Sequence, residues 1–197
     1  MLQDWTGPVP LLTLEDNGLE LIKFVYLGSC VTAGGGIGDE IFLRISKARM
    51  VFAKLKHLWR RRDIRLSLKG STVRSVLLYG CETWPLRVED IRRLDVFESR
   101  CLGSIARISW HRHVDNETVR RKVLGTDCSS LGSIVSRNQL RWLGHVLRMP
   151  IERLPFRALL AHTGPGWKKP QGGQQLTWRS RMKKLTASLT YLLTYFK

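Results

Sequence analysis

The chain has 197 residues, 43% of them hydrophobic and 25% charged, which is enough apolar material for a packed domain and excludes a disordered tail. Its 33 Lys and Arg face only 16 Asp and Glu, and a formal charge of +17 points to a polyanionic partner, with an anionic membrane as the weaker competitor. No run of 18 apolar residues occurs, and Met1-Leu2-Gln3-Asp4-Trp5 has neither a basic leader nor an apolar signal core, so the expectation is an intracellular protein without a membrane span.

Residues 9–15 alternate loosely in polarity, Asp16-Asn17-Gly18 follows, and the alternation resumes over 19–27. Asn-Gly between two such runs predicts a β-hairpin, because both residues tolerate the positive φ of a type I′ turn. Gly34-Gly35-Gly36-Ile37-Gly38 reads as a joint, since no Gly-Lys-Ser/Thr closes it into a phosphate loop.

From Asp39 to about Arg62 the apolar residues Ile41, Ile45, Ala48, Phe52, Leu55 and Trp59 recur at alternating steps of four and three, the period of an amphipathic helix. A second helix is expected from Leu66 to about Gly80, with Val73, Val76 and Leu77 inward, and Pro85 ends what precedes it. The third spans Val88 to about Ile108 on the stripe Ile91, Leu94, Phe97, Cys101, Ile105 and Ile108, with Glu89 and Asp90 as acids of its first turn. Asn116 is the expected cap of a helix through Leu124 stopped by Gly125, and Ser129 or Ser130 caps another through Leu147 before Pro150. Residues 164–173 have linker composition, and helical period returns from Thr177 through Trp178, Met182, Leu185 and Leu189.

Between Arg44 and Arg74 the chain carries eleven Lys and Arg against one acid, Asp63. A merely solvated helix interleaves both signs to gain i,i+4 pairs, so this run predicts contact with a nucleic-acid backbone through Lys47, Arg49, Lys54, Lys56, Arg60, Arg61, Arg62 and Arg65. Trp59 falls on the apolar stripe and is expected in the core rather than stacked on a base.

Catalytic motifs are missing: no aromatic-x-Asp-Asp turn, Gly-x-Ser-x-Gly, His-Glu-x-x-His or Walker loop occurs, and no catalytic residue is expected. Cys30, Cys81, Cys101 and Cys128 form no CxxC pair, and with His111, His113 and His145 they lack metal-ligand spacing, so reduced thiols and no metal are expected. The histidines, in a basic context, read as phosphate or solvent contacts.

Several landmarks in order carry a family resemblance. Phe24-Val25-Tyr26-Leu27-Gly28-Ser29, Ile45-Ser46-Lys47-Ala48-Arg49, Leu77-Leu78-Tyr79-Gly80-Cys81-Glu82-Thr83-Trp84 and Phe97-Glu98-Ser99-Arg100-Cys101-Leu102 resemble the primer grip, thumb and connection of non-LTR (LINE-type) retrotransposon reverse transcriptases. Asp115-Asn116-Glu117-Thr118-Val119, Arg141-Trp142-Leu143-Gly144-His145 and Gly166-Trp167-Lys168-Lys169 look like successive landmarks of that family's C-terminal region, so the resemblance runs from about Leu19 to Leu189. It implies that Phe24, Tyr26, Leu27 and Gly28 lie against a primer backbone and that the basic helix follows a template-primer duplex. It also implies that the palm aspartates with their Mg²⁺, and the endonuclease, precede these residues, leaving a grip without catalysis.

The resulting expectation is a mainly α fold: a helical thumb-like bundle with a small N-terminal β-hairpin and a flexible, partly helical C-terminal tail. Its divisions are 1–36, a palm remnant; 37–110, the basic thumb-like region; 111–162, a helical connection; and 163–197, a linker and helix. The partner is an RNA-DNA hybrid or other nucleic-acid backbone held without sequence preference, with no cofactor, no small-molecule substrate and no membrane. The alternatives are a stand-alone basic nucleic-acid-binding protein, the remnant of a decayed element, and, least favoured, a membrane-surface role for the tail residues Leu185, Leu189, Leu192, Leu193, Tyr195 and Phe196.

Overall fold

The computed structural model describes residues 37–161 and 177–195, together with four short strands between residues 12 and 32. Its helices are α1 (Ile37–Lys54), α2 (Lys56–Arg60), α3 (Leu66–Leu77), α4 (Val88–Ile105), α5 (Asn116–Leu124), α6 (Leu131–Leu147), α7 (Leu154–Leu160) and α8 (Trp178–Tyr195). Two compact units emerge: residues 41–81 with 86–137, and residues 1–40, 82–85 and 138–197. Within the first of these units α5 packs on α3 and α4.

The expected N-terminal hairpin, residues 9–15 against 19–27 about Asn17-Gly18, is not seen, and the fold class is corrected accordingly: residues 37–161 and 177–195 contain no strand. What stands before them is two separate three- and four-residue ladders, Leu12–Leu14 (β1) with Asn17–Leu19 (β2), and Lys23–Tyr26 (β3) with Ser29–Thr32 (β4). Gly18 pairs with Thr13 and Asn17 with Leu14, so Asn-Gly lies inside β2 instead of forming the turn. Register is weakly specified in a ribbon this short, and a two-residue slip keeps every side chain on its face, which is why the turn signal alone misplaces it.

The expected helix over 39–62 breaks at Leu55 into α1 and α2. The indole N–H of Trp59 donates to the Phe52 carbonyl at 2.7 Å, and a side chain entering the backbone ladder is a recognised cause of a sharp bend. The two rings stack 5.3 Å apart, and Trp59 is buried, as its place on the apolar stripe requires. Helix α3 stops three residues before Gly80, whose φ of 78° turns the chain into a 3-10 turn at Cys81–Thr83.

The cap of α5 is Asp115 rather than Asn116: its carboxylate accepts the Thr118 backbone N–H at 2.9 Å. Ser130 caps α6, its hydroxyl accepting the Ser133 N–H. Asp90 is wholly buried at the start of α4 and accepts the Arg87 backbone N–H at 3.0 Å, so the expectation of a helix-start acid holds for it. The expected linker over 164–173 lies outside the described residues, and the helix expected from Thr177 is α8.

In the first unit Leu77, Leu94, Leu102, Val123, Leu131 and Val135 are buried together. Helices α3 and α5 meet at Gly70, where an added Cβ would lie 2.5 Å from Leu124 Cδ2, so any larger residue would have to displace the Leu124 side chain. A charged network sits beside this apolar contact. Arg74 of α3 donates to Glu98 of α4 at 2.5 Å and to the Ser129 carbonyl at 2.7 Å, while Arg120 of α5 donates to Glu98 at 2.9 Å and to Asp95 at 2.7 Å. Glu98 has no solvent exposure, so both of its oxygens rely on arginines from neighbouring helices.

In the second unit Gln139 of α6 is fully buried and bridges, donating to the Trp84 carbonyl at 2.6 Å and accepting from Arg181 of α8 at 2.9 Å. The Trp178 indole donates to the Glu82 carbonyl at 2.7 Å, so the backbone of Glu82-Thr83-Trp84 is held by both α6 and α8. That gives the end of the motif a packing role.

Removing one partner of a buried, hydrogen-bonded ion pair leaves the other charge uncompensated, at a cost of about 3–5 kcal/mol. Glu98→Ala is therefore expected to lower unfolding stability by about that amount, read from the urea midpoint by circular dichroism. A midpoint equal to the parent's would show that Arg74 and Arg120 do not depend on Glu98.

Candidate nucleic-acid interface

The cations of the run 44–74 separate into two populations. Arg44, Lys69 and Arg74 are buried: Arg44 lies over the Tyr79 ring 5.1 Å from its centroid, Arg74 belongs to the Glu98 network, and Lys69 donates to the Trp59 carbonyl at 3.0 Å and to the Arg61 carbonyl. Arg49, Lys54, Lys56, Arg60, Arg61, Arg62 and Arg65 are exposed, and Lys47 is half-buried. The residues expected to meet phosphates thus stand on the wet side of α1, on α2 and on the loop after it.

The local sequence explains why three successive arginines face outward. Helix α2 ends with carbonyls that its own backbone leaves open, and Lys69 takes those of Trp59 and Arg61 while Arg107 donates to that of Arg60 at 2.9 Å. Cations at a helix C-terminus also oppose its dipole. With the backbone pinned from within, the side chains of Arg60, Arg61 and Arg62 project from the surface.

Asp63, the single acid of the run, pairs with Arg61, its Oδ1 accepting from Nε at 2.9 Å. The Arg61 guanidinium holds the Asp63 carboxyl below its usual range, and Asp63 in turn raises the guanidinium. Both side chains are well exposed, so this pair sets local charge rather than stability.

A second set of arginines is not singled out by the charge run. Arg92, Arg93 and Arg100 of α4 are exposed and share a groove with Arg49 of α1, together with the exposed Phe42. Arg93 and Arg100 flank the apolar stripe of Leu94, Phe97 and Cys101, a visible signal, but nothing local to α4 says that α1 lies beside it.

Of the residues in the primer-grip expectation, Phe24 and Tyr26 lie in β3, opposite Val31 and Ser29 of β4, and Leu27 and Gly28 fall outside the described residues. His111, His113 and His145 are exposed, and among the described residues no group of three His, Cys, Asp or Glu side chains is placed to hold a metal. Among them, too, no helix is long and apolar enough to cross a membrane. Burial pushes the Asp95 carboxyl above its ordinary range despite Arg120. No family model, curated protein or solved structure matches the chain.

Cys101 lies inside α4, where burial first and the Glu98 charge second push its thiol up to about 12. Only thiolate attacks an alkylating reagent, so at pH 8 native Cys101 is expected to stay unmodified by iodoacetamide while the half-buried Cys128 reacts. Peptide mapping of the native protein reads this; prompt alkylation of Cys101 would contradict its burial.

Proposed function

We propose that this chain is a helical nucleic-acid grip that binds backbone phosphates without reading bases. Within that class, the ordered landmarks from Phe24 to Trp178 favour the thumb and connection of a non-LTR retrotransposon reverse transcriptase, holding a template-primer duplex. Such a grip performs no polymerisation itself; that step belongs to palm aspartates and Mg²⁺, which on the family's pattern are not among these residues. The setting that goes with this role is intracellular.

One observation carries the reading. From Lys47 to Arg65, along α1, α2 and the following loop, seven exposed cations and the half-buried Lys47 have a single carboxylate, Asp63, among them, while the cations of the run 44–74 that point inward are each engaged by protein groups. An exposed face of one sign costs self-repulsion, and a polyanion relieves it through counterion release. Arginine and lysine on helices neutralise phosphates without base contacts, which suits an enzyme that must move along any sequence. An RNA-DNA hybrid offers such a grip its shape and its backbone.

Affinity for a short RNA-DNA hybrid, followed by fluorescence anisotropy, is expected to fall steeply with salt. Arg60→Ala and Arg62→Ala should each flatten the log-log salt slope by up to about 0.9, one phosphate contact each. Arg61→Ala should flatten it less, because Asp63 already offsets that charge. Wild-type affinity indifferent to salt would sink the proposal.

A further inference from the structure

The groove between α1 and α4 encloses about 430 Å³ over a floor of Ile41, Ile45 and Phe97. At its edge Phe42 is 71% exposed and Val96 51% exposed, an arrangement that leaves an aromatic face open to solvent. Arg49, Arg92, Arg93 and Arg100 line the same groove, and no carboxylate is among its lining residues.

We propose that this groove takes one unpaired nucleotide of a nucleic-acid strand, its base on Phe42 and its flanking phosphates on the α4 arginines. The inference rests on the backbone-binding reading above and adds to it a preference for a single-stranded segment. A base has an apolar face whatever its identity, so a ring beside cations binds single strands without sequence preference. In a duplex those faces are already stacked, and Phe42 offers it nothing. Arginine suits the rim better than lysine would, because its planar fork meets phosphate oxygens two at a time and can also lie flat on a base.

The size of the groove argues for the same occupant. Cavities of roughly 300–1,000 Å³ enclose one drug-sized body, and this one is near the lower bound. An acidic amphipathic helix also matches the charge, and the lining from Ile41 to Arg49 and from Arg92 to Arg100, about 12 Å of each helix axis, equals the two turns such a helix docks through, so it is the competing occupant in the test.

The test uses the full chain with a short unstructured oligo-dT and a hybrid of equal length, comparing wild type, Phe42→Ala, Phe42→Trp and the double variant Arg92→Gln/Arg93→Gln. Phe42→Ala should weaken oligo-dT binding roughly 5- to 150-fold, the range for one stacked base, and leave hybrid binding unchanged. Phe42→Trp should restore it, and the double variant should flatten the oligo-dT salt slope by up to about 0.7 for each phosphate that goes unneutralised. Wild-type oligo-dT affinity in Phe42→Ala overturns the groove assignment; if the hybrid still binds with its steep salt slope, the backbone reading survives, and if neither nucleic acid binds, both fall. Tighter binding of an acidic amphipathic peptide than of oligo-dT, abolished in Phe42→Ala, also overturns it and reassigns the groove to a protein partner.

Discussion

Glu98 is the constraint on which the first unit depends. A carboxylate with no solvent exposure is tolerable only if its charge and its lone pairs are met inside the protein, and here Arg74 of α3 and Arg120 of α5 meet them from two sides of α4. Arg74 also takes the Ser129 carbonyl just before α6, so one side chain links two helices to the entry of a third. The contact is directional where the surrounding Leu77, Leu94 and Leu102 packing is not, and it fixes which faces of α3, α4 and α5 turn inward. Once α4 is set, Arg92, Arg93 and Arg100 have no choice but to face out beside α1.

A chain with twice as many cations as anions has to place the surplus somewhere, and the placement follows from partners. Inside, cations are held by protein groups: Glu98 for Arg74, helix-end carbonyls for Lys69 and the Tyr79 ring for Arg44, while the half-buried Arg181 donates to the Gln139 amide oxygen. Burial lowers the Arg181 pKa from its ordinary value, yet a guanidinium stays charged in any such setting. Outside, the arginines around α2 have Asp63 as the one acid of their run, and the α4 arginines face a groove lined by no carboxylate. The structural cations thereby aim the exposed ones, since Lys69 and Arg107 secure the backbone from which Arg60, Arg61 and Arg62 project.

How far the sequence discloses this depends on whether a feature is local. Periodicity places α1, α4 and α6 within a few residues, because burial of an apolar stripe is written along one helix. It does not reveal the break at Leu55, which arises from an indole reaching back seven residues to a carbonyl. Helix α7 is invisible to it: seven residues, Pro155 near the start and no buried side chain leave no period to detect. The Asn17-Gly18 turn signal is strong by residue type but loses to register, which two short strands hardly constrain. Of the interface, the exposed cations are legible as a charge run, whereas the inward turn of Arg44, Lys69 and Arg74, and the meeting of Arg49 with the α4 arginines, are tertiary facts.

If outward and inward cations of one run have different jobs, lysine acetylation footprinting with and without an RNA-DNA hybrid will separate them. Lys54 and Lys56 are exposed on the proposed interface, whereas Lys69 is buried with its ammonium on two carbonyls. Lys54 and Lys56 are expected to label readily in the free protein and to become protected in the complex, while Lys69 resists in both states. Full labelling of Lys54 and Lys56 in the saturated complex would contradict it.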